Sequence, residues 1–585
     1  VVPSSPAVVN AFGGQTINAG GGLIVQSSLL GDAQITASGG QTIDANYIEV
    51  TAPSGFAFIT NFDSGDQTIT THGANAQGEG LVVRSQGGFA LIDQQAPGFT
   101  QSISANNADY VRVVGDGGGS AQISTTFGAN QSLALQGGGL NALEVGSETA
   151  TGSSRIVSDS QTITAGLPGQ QGLIALQGGG SGAGAFAQIV GRQGQDIAAA
   201  NIALTGGAGG TGNSANLLQT GGGFNQNVTV RDGGTLSLQG GGGTDNFARI
   251  LSDNGNQTIL GSPAITVTGG TGSNSFAMIR TRSGVQTITA GDTTLTGGAG
   301  GFANFAVIQG AEQHITVHGD LSLTGRDSAQ SAAGSVGIAR MGNPGGGAAS
   351  PTNLVLDVDG DVTLTGGNVD GAGAAIGSSS GQNADIVMTA GGNITLNPGT
   401  VAGASARIGA SGDSPAGGDI SVAAAGNIAL NSNPGLGTFI RTLDTVTLNA
   451  NAITQGDDAV IEAGQLITTT AAGTSLGGNN QAAVFNANNF FGDVLFNNTS
   501  PLLTVTGVNT FGGPLTLSQT GDLTLTGFIF SGPQSISATG DITVVPSSPA
   551  VVNAFGGQTI NAGGGLIVQS SLLGDAQITA SGGQT

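Results

Sequence analysis

Residues 257–308 read QTILGSPAITVTGGTGSNSFAMIRTRSGVQTITAGDTTLTGGAGGFANFAVI, and the arrangement of the chain can be inferred from this stretch. It contains two periods, each of which opens with Gln-Thr-Ile, continues to a second alternating segment and ends in Phe-Ala-x-Ile. Alternation of apolar and polar residues over a few positions is typical of half-buried strands. Glycine-rich turns separate the segments, and glycine opposes helix formation. Each period therefore predicts three short strands.

The same period extends along residues 1–320. A Gln that opens an alternating segment recurs every 26–34 residues, at Gln15, Gln41, Gln67, Gln101, Gln131, Gln161, Gln195, Gln226, Gln257, Gln286 and Gln313. Self-similarity at a spacing of about 20–50 residues indicates a solenoid, a propeller or an array. A propeller blade needs four antiparallel strands joined by hairpins. We therefore predict an all-β, single-stranded parallel β-helix with three short strands per coil of about 26–34 residues.

Stacked coils place equivalent residues over one another. We predict that the recurring glutamines form an amide ladder, and that the phenylalanines stack inside the core beside a file of isoleucines. The alternative for the glutamines is a solvent-facing strand start without a ladder. The candidate ladder residues are Gln161, Gln195, Gln226, Gln257, Gln286, Gln313, Phe186, Phe247, Phe276 and Phe305.

Composition excludes several classes of function. The 585 residues include 109 glycines, 35 acids and 12 bases, all of them Arg, which gives a net charge of −23. Such a chain repels phosphate, so we expect no nucleic-acid partner. Without Cys or Lys there are no disulfides, thiolate sites or Lys-dependent phosphate loops. No apolar run approaches the ~18 residues of a membrane-spanning helix, so we expect no membrane span.

Residues 544–585 repeat residues 1–42 letter for letter. We predict one β-helical repeat unit over residues 1–543, with Gln and Phe-Ala-x-Ile coils in 1–320 and a different coil type in 321–543. Residues 544–585 would then begin the next identical unit, and the alternative is an artificially appended copy. No cap interrupts the pattern, so we expect the β-helix to be uncapped at both ends.

Residues 321–543 replace the Gln by Gly-Asp or Gly-Asn before a strand, at Gly360, Gly392, Gly418, Gly426, Gly521 and Gly540. This pattern resembles the strand-turn repeats of filamentous-haemagglutinin-like exoproteins, the secreted β-helices of bacterial two-partner and autotransporter systems. The resemblance covers most of residues 355–543 and, more loosely, residues 10–320. It implies an extracellular or cell-surface location and an adhesive, non-enzymatic role.

Few residues suggest chemistry. Asp357, Asp359 and Asp361 stand at alternate positions, as acids do in calcium loops. The alternative is an ordinary β-helix corner, and calcium is the only cofactor that the sequence suggests. His314 and His318 flank one strand but lack a third ligand for a metal. We predict no catalytic or cofactor-binding residue, and therefore no enzyme.

The leading functional hypothesis is a structural extracellular filament or matrix protein. Its partners would be copies of itself, end to end, with neighbouring filaments or matrix polysaccharide as further partners. An arginine row in the third strand suits either local pairing with acids or lateral contact between filaments: Arg249, Arg280, Arg340, Arg407 and Arg441. The alternatives are the stalk of an adhesin and a solenoid that binds ice or glycans through an outward threonine file.

Overall fold

The computed structural model describes residues 6–106, 110–126, 128–136, 141–146, 151–166, 169–231, 233–301, 303–326, 338–343, 352–379, 381–410, 416–546, 550–572 and 574–585. These residues form strands and turns without a helix. Consecutive coils pair in parallel, for example Gln257 with Gln286 and Ala277 with Ala306. The predicted parallel β-helix is therefore confirmed. The described residues divide into two compact units, one up to Gly310 and one from Ala311 onward.

The first unit has three files of stacked strands. The glutamine file holds the beginnings of Gln15–Gln26 and Gln41–Ala52, and then Gln67–Thr71, Thr100–Ala105, Asn130–Leu135, Ser160–Ala165, Gln195–Ala199, Gln226–Val230, Gln257–Leu260 and Val285–Ala290. The middle file holds the ends of the same two long strands and Glu79–Ser85, Tyr110–Gly115, Asn141–Gly146, Leu173–Gln177, Asn201–Thr205, Thr235–Gln239, Ala264–Thr268 and Thr293–Thr296. The arginine file holds Ala7–Ala11, Ala33–Ala37, Phe56–Asn61, Phe89–Gln94, Ser120–Thr125, Ser153–Ser158, Ala187–Gly191, Ala215–Gly222, Ala248–Asn254, Ala277–Thr281 and Ala306–Gln309.

Strand alternation determines what the core of the first unit contains. Ala277 and Ile279, two positions apart, are both 0 % exposed, and the equivalent Ala248 and Ile250 stack beside them. Phe276 directly precedes Ala277, so its side chain leaves the opposite face of the strand. The prediction of a phenylalanine stack inside the core is wrong. Phe186, Phe247, Phe276 and Phe305 are half-buried on the outer face, because Phe and Ile stand an odd three positions apart.

The second unit continues with strands in chain order. These are Glu312–Val317, Leu321–Thr324, Ala339–Gly342, Thr352–Val358, Val362–Thr365, Ala374–Ile376, Ala384–Ala390, Ile394–Asn397, Ala406–Gly409, Ile420–Ala424, Ile428–Leu430, Phe439–Arg441, Thr445–Gln455, Val460–Asn489, Val494–Asn509, Leu515–Ser531, Gln534–Ala538, Ile542–Val544, Ala550–Ala554, Gln558–Ala562, Leu566–Val568 and Ala576–Ala580. Coils again pair in parallel, for example Leu354 with Ile386 and Ile386 with Ile420.

Part of the second unit has shorter coils than the sequence predicts. Thr445 pairs with Gln465 and Leu515 pairs with Gln534, so one coil takes 20 and then 19 residues there. The 30-residue strand Val460–Asn489 pairs successively with three neighbouring strands. The corners here take few residues, because extended backbone continues from one face of the coil to the next. Glycine-rich loops lengthen the coils of the first unit.

Candidate functional site

An unbroken ladder of glutamine side chains runs through the core of the first unit. In each rung, Nε2 of one glutamine donates to Oε1 of the glutamine one coil earlier, at 2.6–2.9 Å, from Gln41 on Gln15 to Gln286 on Gln257. The glutamines from Gln41 to Gln286 are at most 2 % exposed. Gln195, for example, donates to Gln161 and accepts from Gln226. These are the contacts that an amide ladder requires, and a solvent-facing strand start does not fit them.

The position of each glutamine explains its burial. Gln195 stands two residues before Ile197, so both side chains point to the same inner face. A primary amide has both a donor and an acceptor, so a stack of amides satisfies each buried polar atom along the stack. The ladder therefore replaces apolar packing at one edge of the core by hydrogen bonds that fix the register of successive coils.

Gln313 lies in the second unit and is fully buried in Glu312–Val317. The residue opposite it in the following coil is Leu354, whose side chain has no amide group to continue the ladder. A second ladder, which the sequence analysis missed, joins Gln534, Gln558 and Gln584 at 2.8 and 2.9 Å. The signal was present, because Gln534 opens the segment Gln-Ser-Ile-Ser, as Gln101 does.

Three phenylalanines stack on the outer face of the arginine file. The ring centroids of Phe247 and Phe276 are 4.8 Å apart, and those of Phe276 and Phe305 are 4.7 Å apart, with nearly parallel planes. Arg249 covers the Phe247 ring at 4.9 Å. Phe186 lies apart from this stack, because Ser214 occupies the equivalent position in the next coil.

We predict that the outer stack stabilises the fold less than the core does. Phe276→Ala removes two ring contacts at a half-buried position, and we expect a loss of about 1–2 kcal/mol. Ile279→Ala, three positions along the same strand, leaves a cavity in the core and should lower stability by about 2–5 kcal/mol. Urea unfolding followed by circular dichroism compares the two variants. A loss of stability for Phe276→Ala that equals or exceeds the loss for Ile279→Ala would contradict the outer position of the Phe276 ring.

Asparagines form a third set of buried contacts, also missed from the sequence. Asn213 and Asn246 stand at the turn before the arginine file and are 0 % exposed. Oδ1 of Asn246 accepts the backbone N–H of Asn213 at 2.8 Å, and Nδ2 of Asn213 donates to the carbonyl of Gly209 at 2.7 Å. Their signal in the sequence is an Asn that follows a glycine-rich run by a few residues.

The Gly-Asp and Gly-Asn starts of the second unit form a comparable row at a corner. Oδ1 of Asp320 accepts the N–H of Asp361 at 2.8 Å, and Oδ1 of Asp361 accepts the N–H of Asn393 at 2.6 Å. Oδ1 of Asn393 in turn accepts the N–H of Asn427 at 2.9 Å. Asp361 is thus a corner residue whose carboxylate holds the next coil, as the alternative interpretation of the acidic cluster requires.

The other calcium candidates also have protein partners. Asp359 Oδ2 lies 3.0 Å from His318 Nδ1, and Asp357 accepts a hydrogen bond from the Thr389 hydroxyl. All three acids are exposed. Among the residues that the structure describes, no group of three or more His, Asp or Glu side chains is arranged to hold a metal ion.

The two histidines of the suggested metal pair have separate neighbours. His314 Nε2 lies 3.7 Å from Glu312, while His318 contacts Asp359. The structure gives them no common ligand in the described part of the chain.

The predicted arginine row lies on the third strand of its coils and is partly desolvated. Burial lowers the pKa of Arg249 and Arg280, and it lowers the pKa of Arg340 to about 9 and that of Arg407 to about 10. Arg249 donates to Asn216 Oδ1 at 2.6 Å, and Arg441 Nε lies 3.5 Å from Glu462. Local pairing with acids therefore describes Arg441 but does not describe Arg249, whose partner is an amide.

The described residues contain no helix of the length and hydropathy needed to cross a bilayer. No family model, curated protein or solved structure matches the chain.

Proposed function

We propose that the protein is a non-catalytic structural component of an extracellular filament or matrix, built from β-helical units that follow one another. The observation that carries this proposal is the placement of the repeated 42 residues. At the start of the chain, Gln15 pairs with Gln41 of the following coil. In the copy, Gln558 is the equivalent of Gln15, and it pairs with Gln584 of the following coil. It also pairs with Gln534 of the preceding coil. The same sequence therefore accepts a coil on either side.

The continuity of the pairing supports growth by addition of units. Ile529, near the end of the first copy of the unit, pairs with Val552, and Val552 pairs with Ile578. Leu523 pairs with Ile542, and Ile542 with Leu566. The repeated residues thus continue the stacking of the coils that precede them. A contact that repeats without closing on itself produces a filament.

Composition and hydrogen bonding also favour a structural role. Long parallel ladders of backbone and amide hydrogen bonds give high kinetic stability. A net charge of −23 keeps separate molecules apart in solution. The extracellular location, and a relation to filamentous-haemagglutinin-like exoproteins, rest on the Gly-Asp and Gly-Asn strand starts. An adhesin stalk is the alternative within the same location.

Cryo-electron microscopy of the native material after heating in detergent tests the proposal. We expect unbranched filaments with an axial spacing of about 4.8 Å between strands, and a long repeat that corresponds to one 543-residue unit. Discrete rods of a single unit would contradict the filament and favour the adhesin stalk.

A matched pair of variants links the filaments to the repeated segment. Val552 is fully buried and Val551, the preceding residue of Ala550–Ala554, is not. Val552→Asp places a carboxylate in the core of the copy and should stop filament growth, because a buried unpaired charge is strongly unfavourable. Val551→Asp points away from the core and should leave filaments intact. Equal filament lengths for the two variants would show that stacking of this segment is not required.

A further inference from the structure

A cleft of about 310 Å³ opens in the second unit, beside the strands Ala406–Gly409 and Phe439–Arg441. Its rim is formed by equivalent loops of two successive coils, Gly399–Ser405 and Gly435–Gly437. The two strands pair in parallel, with Arg407 opposite Phe439. Arg407 and Arg441, one coil apart, both line the cleft. The cleft is therefore a basic site in a chain whose net charge is −23.

The two arginines differ in their partners. Arg441 lies 3.5 Å from Glu462 and stacks over the Phe439 ring at 4.1 Å. Arg407 Nε is buried and has no hydrogen-bond partner within the described ranges. None of the described residues that line the cleft has an acidic side chain. Among the described residues, the guanidinium of Arg407 thus has no carboxylate partner comparable to Glu462.

The charge of Arg407 is held in an unfavourable environment. Burial, with Arg441 close by, lowers its pKa to about 10, and Arg407 in turn lowers the pKa of the buried Arg340. A buried charge without a partner destabilises a fold, and proteins normally supply a counter-charge. Arg407 thus remains cationic at neutral pH, lines a cleft and has no carboxylate partner among the described residues. It is one half of an ion pair whose other half a ligand could supply.

We propose that this cleft binds the carboxylate of a small acidic ligand, with Arg407 as its principal partner, and that the natural ligand is a uronic acid residue of an acidic polysaccharide. A guanidinium presents two parallel N–H donors that match a carboxylate. Val401, Leu436 and Phe439 line the cleft and give its walls apolar surface for a carbon framework. The volume is at the lower end of ligand pockets, about 300–1,000 Å³, and suits one sugar-sized unit. The site is independent of the proposed structural role.

Isothermal titration calorimetry on the full chain tests the site with galacturonate, glucose and inorganic phosphate as probes. We expect galacturonate to bind with a dissociation constant in the millimolar range, and glucose, which lacks the carboxylate, not to bind. If phosphate binds more tightly than galacturonate, the assignment of a uronate as the natural ligand is overturned and the cleft is a phosphate site. If neither anionic probe gives binding heat at a concentration 20-fold above the expected dissociation constant, the proposal is overturned altogether.

Two substitutions at the same strand position separate the site from the fold. Arg407→Met should weaken galacturonate binding at least tenfold. It should leave the ligand-free chain as stable as before or more so, because it removes a half-buried charge that has no carboxylate partner among the described residues. Arg249→Met is the matched control: Arg249 also follows the first alanine of its strand, but it lies outside the cleft and contacts Asn216. Equal binding by both variants would contradict the assignment.

A third variant keeps the test valid if Arg407→Met does not fold. Ser405 lines the cleft, and Ser405→Glu brings a carboxylate to Arg407 within the chain itself. We expect this variant to lose galacturonate binding and to melt at a higher temperature than the parent chain. Ser405→Gln, of the same size without the charge, should show no rise in melting temperature. A rise that is equal for both would mean that packing, rather than charge, explains the stabilisation.

Discussion

Gln195→Glu should lower the free energy of unfolding by about 3–5 kcal/mol at pH 7. Nε2 of Gln195 donates to Gln161 Oε1 at 2.9 Å, and its Oε1 accepts from Gln226 Nε2 at 2.8 Å. A carboxylate keeps the second bond but cannot make the first. It would also place a buried negative charge against the Oε1 of Gln161. The change in size is minimal, so the loss of stability measures the ladder and not the packing.

The dependence of this loss on pH gives a second signature. Burial raises the pKa of a glutamic acid above its unfolded value of about 4.3. A group with a raised pKa in the folded state stabilises the fold below the unfolded pKa, and this contribution is lost as the pH rises through the folded pKa. The protonated acid regains a donor, so the deficit of Gln195→Glu should shrink at pH 4. Gln86→Glu, at an exposed turn, is the control.

Urea unfolding at pH 7 and pH 4, followed by circular dichroism, measures both effects. Each variant is compared with the parent chain at the same pH. A Gln195→Glu variant as stable as Gln86→Glu at pH 7 would show that the ladder contributes nothing to the fold.

Gly270→Ala should destabilise the first unit by about 3 kcal/mol. Gly270 follows the middle-file strand Ala264–Thr268, where successive coils approach through their backbones. A Cβ at this position would overlap the carbonyl oxygen of Gly241 in the preceding coil and lie 2.6 Å from the Ser275 carbonyl oxygen. These are backbone atoms, so the two coils must separate to admit a methyl group.

Gly194→Ala is the matched control for this close approach. The nearest atom to an added Cβ there is Ser160 Oγ at 4.0 Å, and the backbone is not in the left-handed region. We expect the melting temperature of Gly194→Ala to equal or exceed that of the parent chain, since alanine lowers the entropy of the unfolded state. Similar melting temperatures for the two variants would show that the coils at Gly270 have room to adapt.

Much of the first unit could be predicted because its coils repeat the same short motifs, although the coil length varies. The two-residue step from Gln to Ile places both side chains inside, which alternation alone determines. The prediction for the phenylalanines is wrong because it neglects that alternation: Phe276 and Ile279 are separated by an odd number of positions. Hydrophobicity favoured the core for Phe276, but the position in the strand determines the face.

The cleft beside Arg407 and the short coils could not be predicted in the same way. The sequence places Arg407 in a row of arginines, but whether a described acid lies beside its guanidinium depends on which residues the turns bring together. The coil of 20 residues at Thr445 has no repeated motif to mark its length. Only pairing distant in sequence determines where one coil ends and the next begins.

The direction of the glutamine ladder has a consequence for assembly. In the nine rungs described from Gln15 to Gln286 the later coil donates and the earlier coil accepts, and the two rungs from Gln534 to Gln584 have the same sense. The row is therefore a column of aligned amide dipoles, comparable in kind to the aligned peptides of a helix. Such a column has one face that offers donors and an opposite face that offers acceptors. Units joined through it must all point the same way, and a growing polymer of this protein would be polar, with chemically different ends.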